Sequence, residues 1–317
     1  GGALDCGDCG PGLTCGGDGV ANRRGEGACA PRTCASTGAE CGSVSDGCGV
    51  VLGCGTCEGG GACAESRCLA SSVCTTAPFG IVVIEAAPSI TDTAIAVTRG
   101  GVPQIAYARS GTTLVHATRG AGGWVTTDVD TTSTIVETDI AVSGGDDVYI
   151  VYHDEGTRAR LGLAESGPDG GWLLSSPDGA GDVGWYPSIV VTGGRPFVSY
   201  YKSTTAATSP VRDLRHAVRT GGVWTVQDID TMGDVGKHAA MAIGSAGTLH
   251  VAYWEETARN LRYAERAEGS WLTSVIDDGD IGPGMSIAIG DTGTVFISYV
   301  DAMVGQLVVA RSSASGW

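Results

Sequence analysis

A motif that recurs five times after residue 90 limits the folds open to this chain more than any other feature. Each copy has an apolar strand, a turn, a second strand that ends in Tyr, a third strand that ends near Ala, and a glycine-containing turn before a Trp. The second strands end at Tyr107, Tyr152, Tyr200, Tyr253 and Tyr299. The turn tryptophans are Trp124, Trp172, Trp224, Trp271 and Trp317. Since one such unit cannot bury its apolar face alone, we expect the copies to pack against one another in series.

The length and the ends of the copies indicate how the series closes. Four copies span residues 91–135, 136–184, 185–236 and 237–282. Each has room for four short strands, which is typical of a β-propeller blade. The fifth copy stops at Trp317, before its fourth strand, and residues 79–85 resemble a fourth strand. We therefore predict an all-β fold, a five-bladed β-propeller at residues 79–317, closed by an N-terminal strand that completes the last blade and removes open sheet edges.

The twelve cysteines are confined to the first part of the chain. They are Cys6, Cys9, Cys15, Cys29, Cys34, Cys41, Cys48, Cys54, Cys57, Cys63, Cys68 and Cys74. Residues 1–78 have few large apolar side chains, so cross-links must supply their order. We predict a small disulfide-rich domain there, with all twelve cysteines in disulfides. The Cys-x-x-Cys steps at Cys6 and Cys54 also occur in zinc sites, but the second pair of such a site is not suitably spaced.

The disulfide-rich domain contains one partial and one full copy of a module. The partial copy begins at Leu4 and matches only the later part of the full copy, which begins at Cys34. We therefore expect the sequence to be a piece of a longer precursor. The run TCASTGAECGSVSDGCG…LGCGTC resembles cysteine modules of secreted and surface proteins from myxobacteria and their relatives. This resemblance implies an extracellular spacer.

The five copies also carry a recognisable sequence pattern. It includes Gly181-Asp182-Val183-Gly184, Val198-Ser199-Tyr200-Tyr201 and Leu261-Arg262-Tyr263-Ala264. The pattern resembles a bacterial family of extracellular β-propeller repeats over residues 79–317. The resemblance implies the fold but little about activity, because β-propellers carry many unrelated functions.

Charge and hydropathy exclude two classes of partner. The chain has 19 Lys+Arg against 35 Asp+Glu, a formal net charge of −16, and therefore lacks the basic surface that binds nucleic acid. No apolar run approaches the roughly 18 residues that a membrane-spanning helix needs. We predict a secreted or cell-surface protein without membrane insertion.

The repeat separates structural aromatic residues from candidate binding residues. Trp185 and Trp254 are not repeat markers, and they fall in loops that we expect on one face of the propeller. Exposed aromatic rings there suit the faces of sugars or a partner protein; the alternative is that they only cover a loop. The predicted ligand-binding residues are Trp185, Tyr186, Tyr201, Lys202, Trp254 and Glu255.

A second set of residues would serve catalysis. The candidates are Asp139, His153, Asp154 and His238. Paired carboxylates perform glycoside hydrolysis, and a neutral imidazole can act as a base or a metal ligand; the alternative is a plain polar rim. Aspartates beside glycine, such as Asp230 and Asp277, are expected to form turns. Their carboxylates could also bind a calcium ion, which is the one candidate cofactor.

Three functional hypotheses result. The first is a binding module that recognises a glycan or a surface protein through one propeller face. The second is a carbohydrate hydrolase or lyase that uses the candidate catalytic residues. The third is a structural subunit of an extracellular fibre, which would require self-assembly.

Overall fold

The protein is described by a computed structural model. It describes residues 31–46, 48, 50–56, 82–87, 89–156, 159–179, 181–204, 211–244, 246–267, 269–313 and 316–317, together with the backbone of four short strands before residue 69. The chain divides into two compact units, residues 1–82 and 83–317.

The first unit contains short strands and one helical turn. The strands are β1 (Leu13–Cys15), β2 (Arg24–Glu26), β3 (Ser43–Ser45), β4 (Val51–Gly53), β5 (Cys63–Ala64) and β6 (Arg67–Cys68), and helix α1 spans Cys34–Thr37. They pair as three two-stranded antiparallel sheets.

Disulfides cross-link the part of this unit whose side chains are described. Cys34 is bonded to Cys54, and Cys41 and Cys48 are also disulfide-bonded. The side chains of the other eight predicted disulfide cysteines lie outside the described residues.

The second unit consists of five consecutive antiparallel sheets, each formed by strands in chain order. Sheet 1 contains β7 (Ile90–Val97), β8 (Pro103–Arg109), β9 (Thr113–Gly120) and β10 (Gly123–Asp130). Sheet 2 contains β11 (Ile135–Val142), β12 (Val148–Asp154), β13 (Arg160–Ser166) and β14 (Trp172–Asp178). Sheet 3 contains β15 (Val183–Thr192), β16 (Arg195–Thr204), β17 (Val211–Thr220) and β18 (Val223–Asp230). Sheet 4 contains β19 (Val235–Ile243), β20 (Leu249–Glu255), β21 (Asn260–Ala267) and β22 (Ser270–Asp277). Sheet 5 contains β23 (Ile281–Ile289), β24 (Val295–Asp301) and β25 (Gln306–Arg311).

Neighbouring sheets pack face to face, as blades of a β-propeller do. The first strands of successive sheets contact one another, β7 with β11, β11 with β15, β15 with β19 and β19 with β23. Strand β12 is buried along its whole length because a sheet covers each of its faces. This explains why its sequence is a nearly continuous apolar run. The all-β prediction is confirmed. Among the described residues, no helix is long and apolar enough to span a membrane.

The recurrent tyrosines join each sheet to the one before it. Each buried hydroxyl donates a hydrogen bond to an aspartate at the end of the preceding fourth strand. The pairs are Tyr152 with Asp130 (2.8 Å), Tyr200 with Asp178 (2.7 Å), Tyr253 with Asp230 (2.6 Å) and Tyr299 with Asp277 (2.6 Å). The same bond therefore fixes four successive interfaces.

The predicted closure by an N-terminal strand is wrong for the residues that the structure describes. Tyr107 donates a hydrogen bond to Glu85, and Ile84 packs beside Tyr107. This segment therefore contacts sheet 1 in the way that the fourth strand of each sheet contacts the sheet after it. However, residues 82–87 form no strand, and sheet 5 has three strands among the described residues. Residues 79–81 lie outside the described part.

Exposed apolar side chains show that, among the described residues, sheets 1 and 5 do not pack against each other to close the predicted ring. On the free face of sheet 1, Ile95 is 65% exposed and Val97 57% exposed. On the free face of sheet 5, Leu307 is 78% exposed and Val309 58% exposed. These faces are not packed together as the other neighbours are, and the described residues 82–87 are not paired with β25.

Candidate functional site

A cleft between sheets 3 and 4 brings together aromatic and charged side chains on the face that the sequence analysis selected. Its volume is about 290 Å³. The lining residues are Asp182, Trp185, Tyr186, Tyr201, Ser203, Arg212, Asp234, Lys237 and Glu256. They come from the loops that precede β15 and β19, from the first residues of these two strands, from the end of β16, from the start of β17 and from the residue after β20. We call this group the loop-face cleft.

Glycine in the recurrent Gly-Asp-Val-Gly motif positions the cleft loops. Gly184 has a φ of +97°, and a Cβ atom there would lie 2.7 Å from the Cα of Leu161 in sheet 2. Only glycine combines this left-handed conformation with so close an approach of two backbones. The loop therefore lies directly on the neighbouring sheet, with Trp185 at its edge.

Trp185 is held by contacts at one face of its ring and at its indole N–H. Its ring stacks on the imidazole of His153, with 3.9 Å between ring centroids, and its indole Nε1–H donates to Asp182 at 2.6 Å. Half-buried in this way, the ring has little freedom to lose when a ligand packs against it.

Tyr186 is positioned by its backbone. Its φ of +50° is rare for a non-glycine residue, and it lies in an irregular step of the pairing between β15 and β16. Its N–H donates to the carboxylate of Glu137 in sheet 2. Its ring centroid lies 4.3 Å from that of His238 and 6.2 Å from that of Tyr201.

The charged groups of the loop-face cleft already pair with one another. Asp234 accepts from Tyr201 Oη at 2.8 Å and from Arg212 Nη1 at 3.1 Å. Lys237 contacts Asp234 and Glu256 and lies 5.4 Å from the ring centroid of Tyr201. Burial and the bond to Asp234 raise the pKa of Tyr201, so its hydroxyl stays protonated. The network offers oriented donors and acceptors beside aromatic faces.

A second cavity, of about 390 Å³, adjoins the cleft where the first strands begin. Its lining includes Asp92, Glu137, Tyr186, His238 and Gly284, which occupy corresponding positions in the five sheets. Burial raises the pKa of Glu137 to about 7, and burial also raises the pKa of Asp92. Burial and the nearby Lys237 lower the pKa of His238. This first-strand cavity therefore has two carboxyl groups that bind protons more readily than usual.

The predicted ligand-binding residues are only partly brought together. Trp185, Tyr186 and Tyr201 line the loop-face cleft, whereas Lys202 does not line it. Glu255 instead accepts from Asn260 Nδ2 at 3.3 Å and pairs with Arg262.

The expectation that Trp254 is an exposed ring is wrong. It is 8% exposed and packs with Leu261 and Ile281 between sheets 4 and 5.

Three of the predicted catalytic residues hold the fold together. His153 is fully buried, under Trp185, and its Nδ1 bonds to the carbonyl of Val183 at 3.1 Å, so its imidazole is not part of an exposed polar rim. Asp139 accepts from the N–H groups of Ile140 (2.8 Å) and Ile189 (2.9 Å), and burial raises its pKa to about 6.

Asp154 has a similar structural role. It accepts from the N–H groups of Thr134 (3.0 Å) and Gly156 (3.1 Å). Burial acts to raise the pKa of Asp154, but these hydrogen bonds outweigh it and hold the pKa below the usual value. Of the four catalytic candidates, His238 lines the first-strand cavity.

The turn aspartates behave as expected. Asp230 accepts from the N–H of Met232 at 3.0 Å, and Asp277 accepts from that of Gly279 at 2.9 Å. Within the described ranges, no group of three or more His, Cys, Asp or Glu side chains is placed to hold a metal ion, calcium included.

Sequence reasoning did not select the charged members of the loop-face cleft. Asp182, Arg212, Asp234, Lys237 and Glu256 were missed because Asp182 and Asp234 belong to the recurrent motif and the other three belong to no motif. One available signal was the pair Trp185 and Lys237, which stand where the other sheets have smaller or apolar residues.

No family model and no curated protein matches the sequence. Solved structures do resemble the fold. A mutant lectin of Aleuria aurantia in complex with α-methyl-L-fucoside is 15% identical, with 74% of this chain and 79% of the lectin covered and a TM-score of 0.50. That lectin is a six-bladed β-propeller. The SapL1 lectin in complex with α-methyl fucoside is 17% identical over 71% of this chain and 78% of its own, with a TM-score of 0.47.

The polysaccharide lyase Uly1 is 11% identical, with 68% of this chain and 56% of the lyase covered and a TM-score of 0.45. At these identities, the likeness to the Aleuria lectin shows a shared fold of β-propeller type.

Proposed function

We propose that the protein is a carbohydrate-binding module that recognises a glycan through the loop-face cleft. The observation that carries this proposal is the pair of half-buried rings, Trp185 and Tyr186, fixed in place beside an oriented network of Asp234, Arg212 and Lys237. Sugars present apolar C–H faces and hydroxyl edges, and such a cleft offers a partner for each.

The fucoside complexes of the two lectins support the choice of first probe. Because the likeness concerns the fold alone, it does not locate a site on this chain. It makes fucosylated glycans the first ligands to test, and acidic and neutral polysaccharides the second.

We also infer an extracellular location, with residues 1–82 as a spacer. The disulfide-bonded cysteines Cys34, Cys41, Cys48 and Cys54 support this, because such bonds persist mainly in oxidising compartments. An enzymatic role has less support, since Asp139 and Asp154 are occupied by backbone hydrogen bonds.

A glycan array with the full chain tests the proposal, followed by calorimetric titration of the strongest ligand. We expect Trp185→Ala to weaken binding by about 1 kcal/mol or more, as removal of an aromatic anchor does at other interfaces. The matched control is Trp317→Ala, which removes a tryptophan that is 41% exposed and does not line this cleft. Binding of no glycan by the folded protein, or equal loss in both variants, would contradict the proposal.

A further inference from the structure

Sheets 3 and 4 form a second cleft at the opposite end of their strands. It is lined by Arg195, Phe197, Leu249 and Arg266, with Gly247 and Gly269 in the adjoining turns, and its volume is about 260 Å³. These turns join first to second strands and third to fourth strands, whereas the loop-face cleft lies among the other loops. We propose that this turn-face cleft binds a small ligand through an anionic group, a carboxylate or a sulfate. The proposal goes beyond the glycan site described above and does not depend on it.

The two arginines of the turn-face cleft lack carboxylate partners among the described residues. The Nε–H of Arg266 is buried and donates to no acceptor in that part of the chain. Arg195 donates from Nη2 to the hydroxyl of Thr220 at 2.7 Å, and its guanidinium lies 5.4 Å from the ring centroid of Phe197. Two guanidinium groups with unused donors are suited to a planar or tetrahedral anion.

The neighbouring cleft between sheets 2 and 3 shows how such an arginine is neutralised elsewhere in the molecule. Arg219 pairs across β17–β18 with Trp224, as Arg266 pairs across β21–β22 with Trp271. Arg219 donates to Glu165 of the preceding sheet at 2.6 Å.

The position that holds the neutralising acid between sheets 2 and 3 is apolar between sheets 3 and 4. Glu165 lies opposite Tyr149 in sheet 2, and the same register in sheet 3 places Val218 opposite Phe197. Val218 is apolar and 5% exposed. Among the described residues, the cleft between sheets 3 and 4 thus keeps the arginine and lacks its internal carboxylate, so an external anion can take that role.

The cleft between sheets 4 and 5 lacks the basic character. It is lined by His250, Tyr263, Glu265, Val295, Ser312 and Trp317, among others. Ser312 stands where Arg266 stands, and Glu265 stands where Val218 stands. Among the described clefts at this end of the sheets, the cleft between sheets 3 and 4 is therefore the one that has an arginine without a carboxylate partner and an apolar residue at the position of the acid.

The walls of the turn-face cleft limit the rest of the ligand. Phe197 and Leu249 are buried apolar side chains beside the guanidinium groups. The volume is below the roughly 300 Å³ at which pockets for drug-sized ligands begin. A single sugar ring that carries the anionic group has the matching combination of an apolar face and a charge.

Calorimetry of the full chain at low salt with three probes tests this inference. The probes are methyl β-D-glucuronide for the carboxylate, glucose 6-sulfate for the sulfate, and methyl β-D-glucoside as the neutral control. We expect at least one anionic probe to bind about tenfold more tightly than the neutral one, as charge-assisted hydrogen bonds allow. The preferred anionic probe then identifies the group.

Variants locate that binding. Arg266→Gln should weaken it about tenfold or more, and Val218→Glu should abolish it by supplying an internal carboxylate. The matched controls Arg219→Gln, at the ion-paired arginine, and Trp185→Ala, in the other cleft, should leave it unchanged. Equal affinity for charged and neutral probes, no binding of either anion by the folded protein, or full binding by Arg266→Gln would overturn the proposal.

Discussion

The two tryptophans outside the repeat, Trp185 and Trp254, occupy different regions of the molecule. Trp185 lies at the edge of the loop-face cleft, stacked on His153, with its indole N–H bonded to Asp182. Trp254 is 8% exposed and packs between sheets 4 and 5. Both are exceptions to the same repeat, yet one belongs to a surface and the other to an interface. An exception to a repeat therefore marks a local difference, and only the packing around it indicates whether that difference can serve a ligand.

The largest expected effect concerns Trp254. Replacement by Ala removes a buried indole between two sheets, and truncation of a buried Trp costs about 3–5 kcal/mol of the free energy of unfolding. Trp185→Ala should cost much less, since its ring is at the cleft edge. Urea unfolding of both variants measures the difference. Equal loss of stability in the two would show that the comparison is wrong.

The interface between sheets 3 and 4 gives the next effect. Asp230 is 3% exposed and accepts from Tyr253 Oη (2.6 Å) and from Arg262 Nη2 (3.2 Å). Asp230→Ala leaves both donors buried without this partner, at a cost of about 3 kcal/mol. The control is Asp228→Ala, whose side chain is 47% exposed and whose ion pair with Arg215 should contribute less than about 1 kcal/mol. Chemical denaturation that ranks the two in the reverse order would refute the assignment.

These two examples also show how far the sequence determines the structure. The repeat places the second-strand tyrosines, and their bonds to preceding aspartates follow from the shared register of the sheets. The lack of closure among the described residues was not predictable, because the repeat specifies contacts between consecutive sheets and not between the first and the last. Trp254 was misjudged for a related reason: its position corresponds to those of His153 and Tyr201, and sequence does not indicate how closely the next sheet approaches.

Acid sensitivity should be greater at the interfaces than at the cleft edge. His216 is fully buried, and burial lowers its pKa to about 3. The folded state therefore resists protonation, so its stability is fully present above the usual histidine pKa of about 6.5 and falls as the pH drops toward 3. At pH 5 this one group should cost about 2 kcal/mol relative to pH 7.

His216→Leu isolates that contribution. Leu163 occupies the same position in sheet 2, so the fold accommodates leucine there. The variant should lose less stability than the original protein between pH 7 and pH 5 in denaturant titrations. An unchanged difference between the two pH values would exclude His216 as a source of acid sensitivity.

The smallest expected change is in ligand affinity, at the cleft edge. Removal of the Trp185 ring should weaken binding of the array-selected glycan by about 1 kcal/mol or more, whereas Tyr149→Phe, at the other end of sheet 2, should leave affinity unchanged. Competition titration gives both values. An equal loss of affinity in the two variants would show that the ligand does not bind specifically at the loop-face cleft.

The most direct test of glycan recognition in the loop-face cleft uses the indole N–H signals of the seven tryptophans in nuclear magnetic resonance spectra. Titration with the bound glycan should shift the signal that disappears in Trp185→Phe, because that indole donates to Asp182 within the cleft. The signals of Trp224 and Trp271, which lie at turns on the opposite end of the sheets, should stay in place. Binding that moves those two signals and leaves the Trp185 signal unchanged would contradict the account.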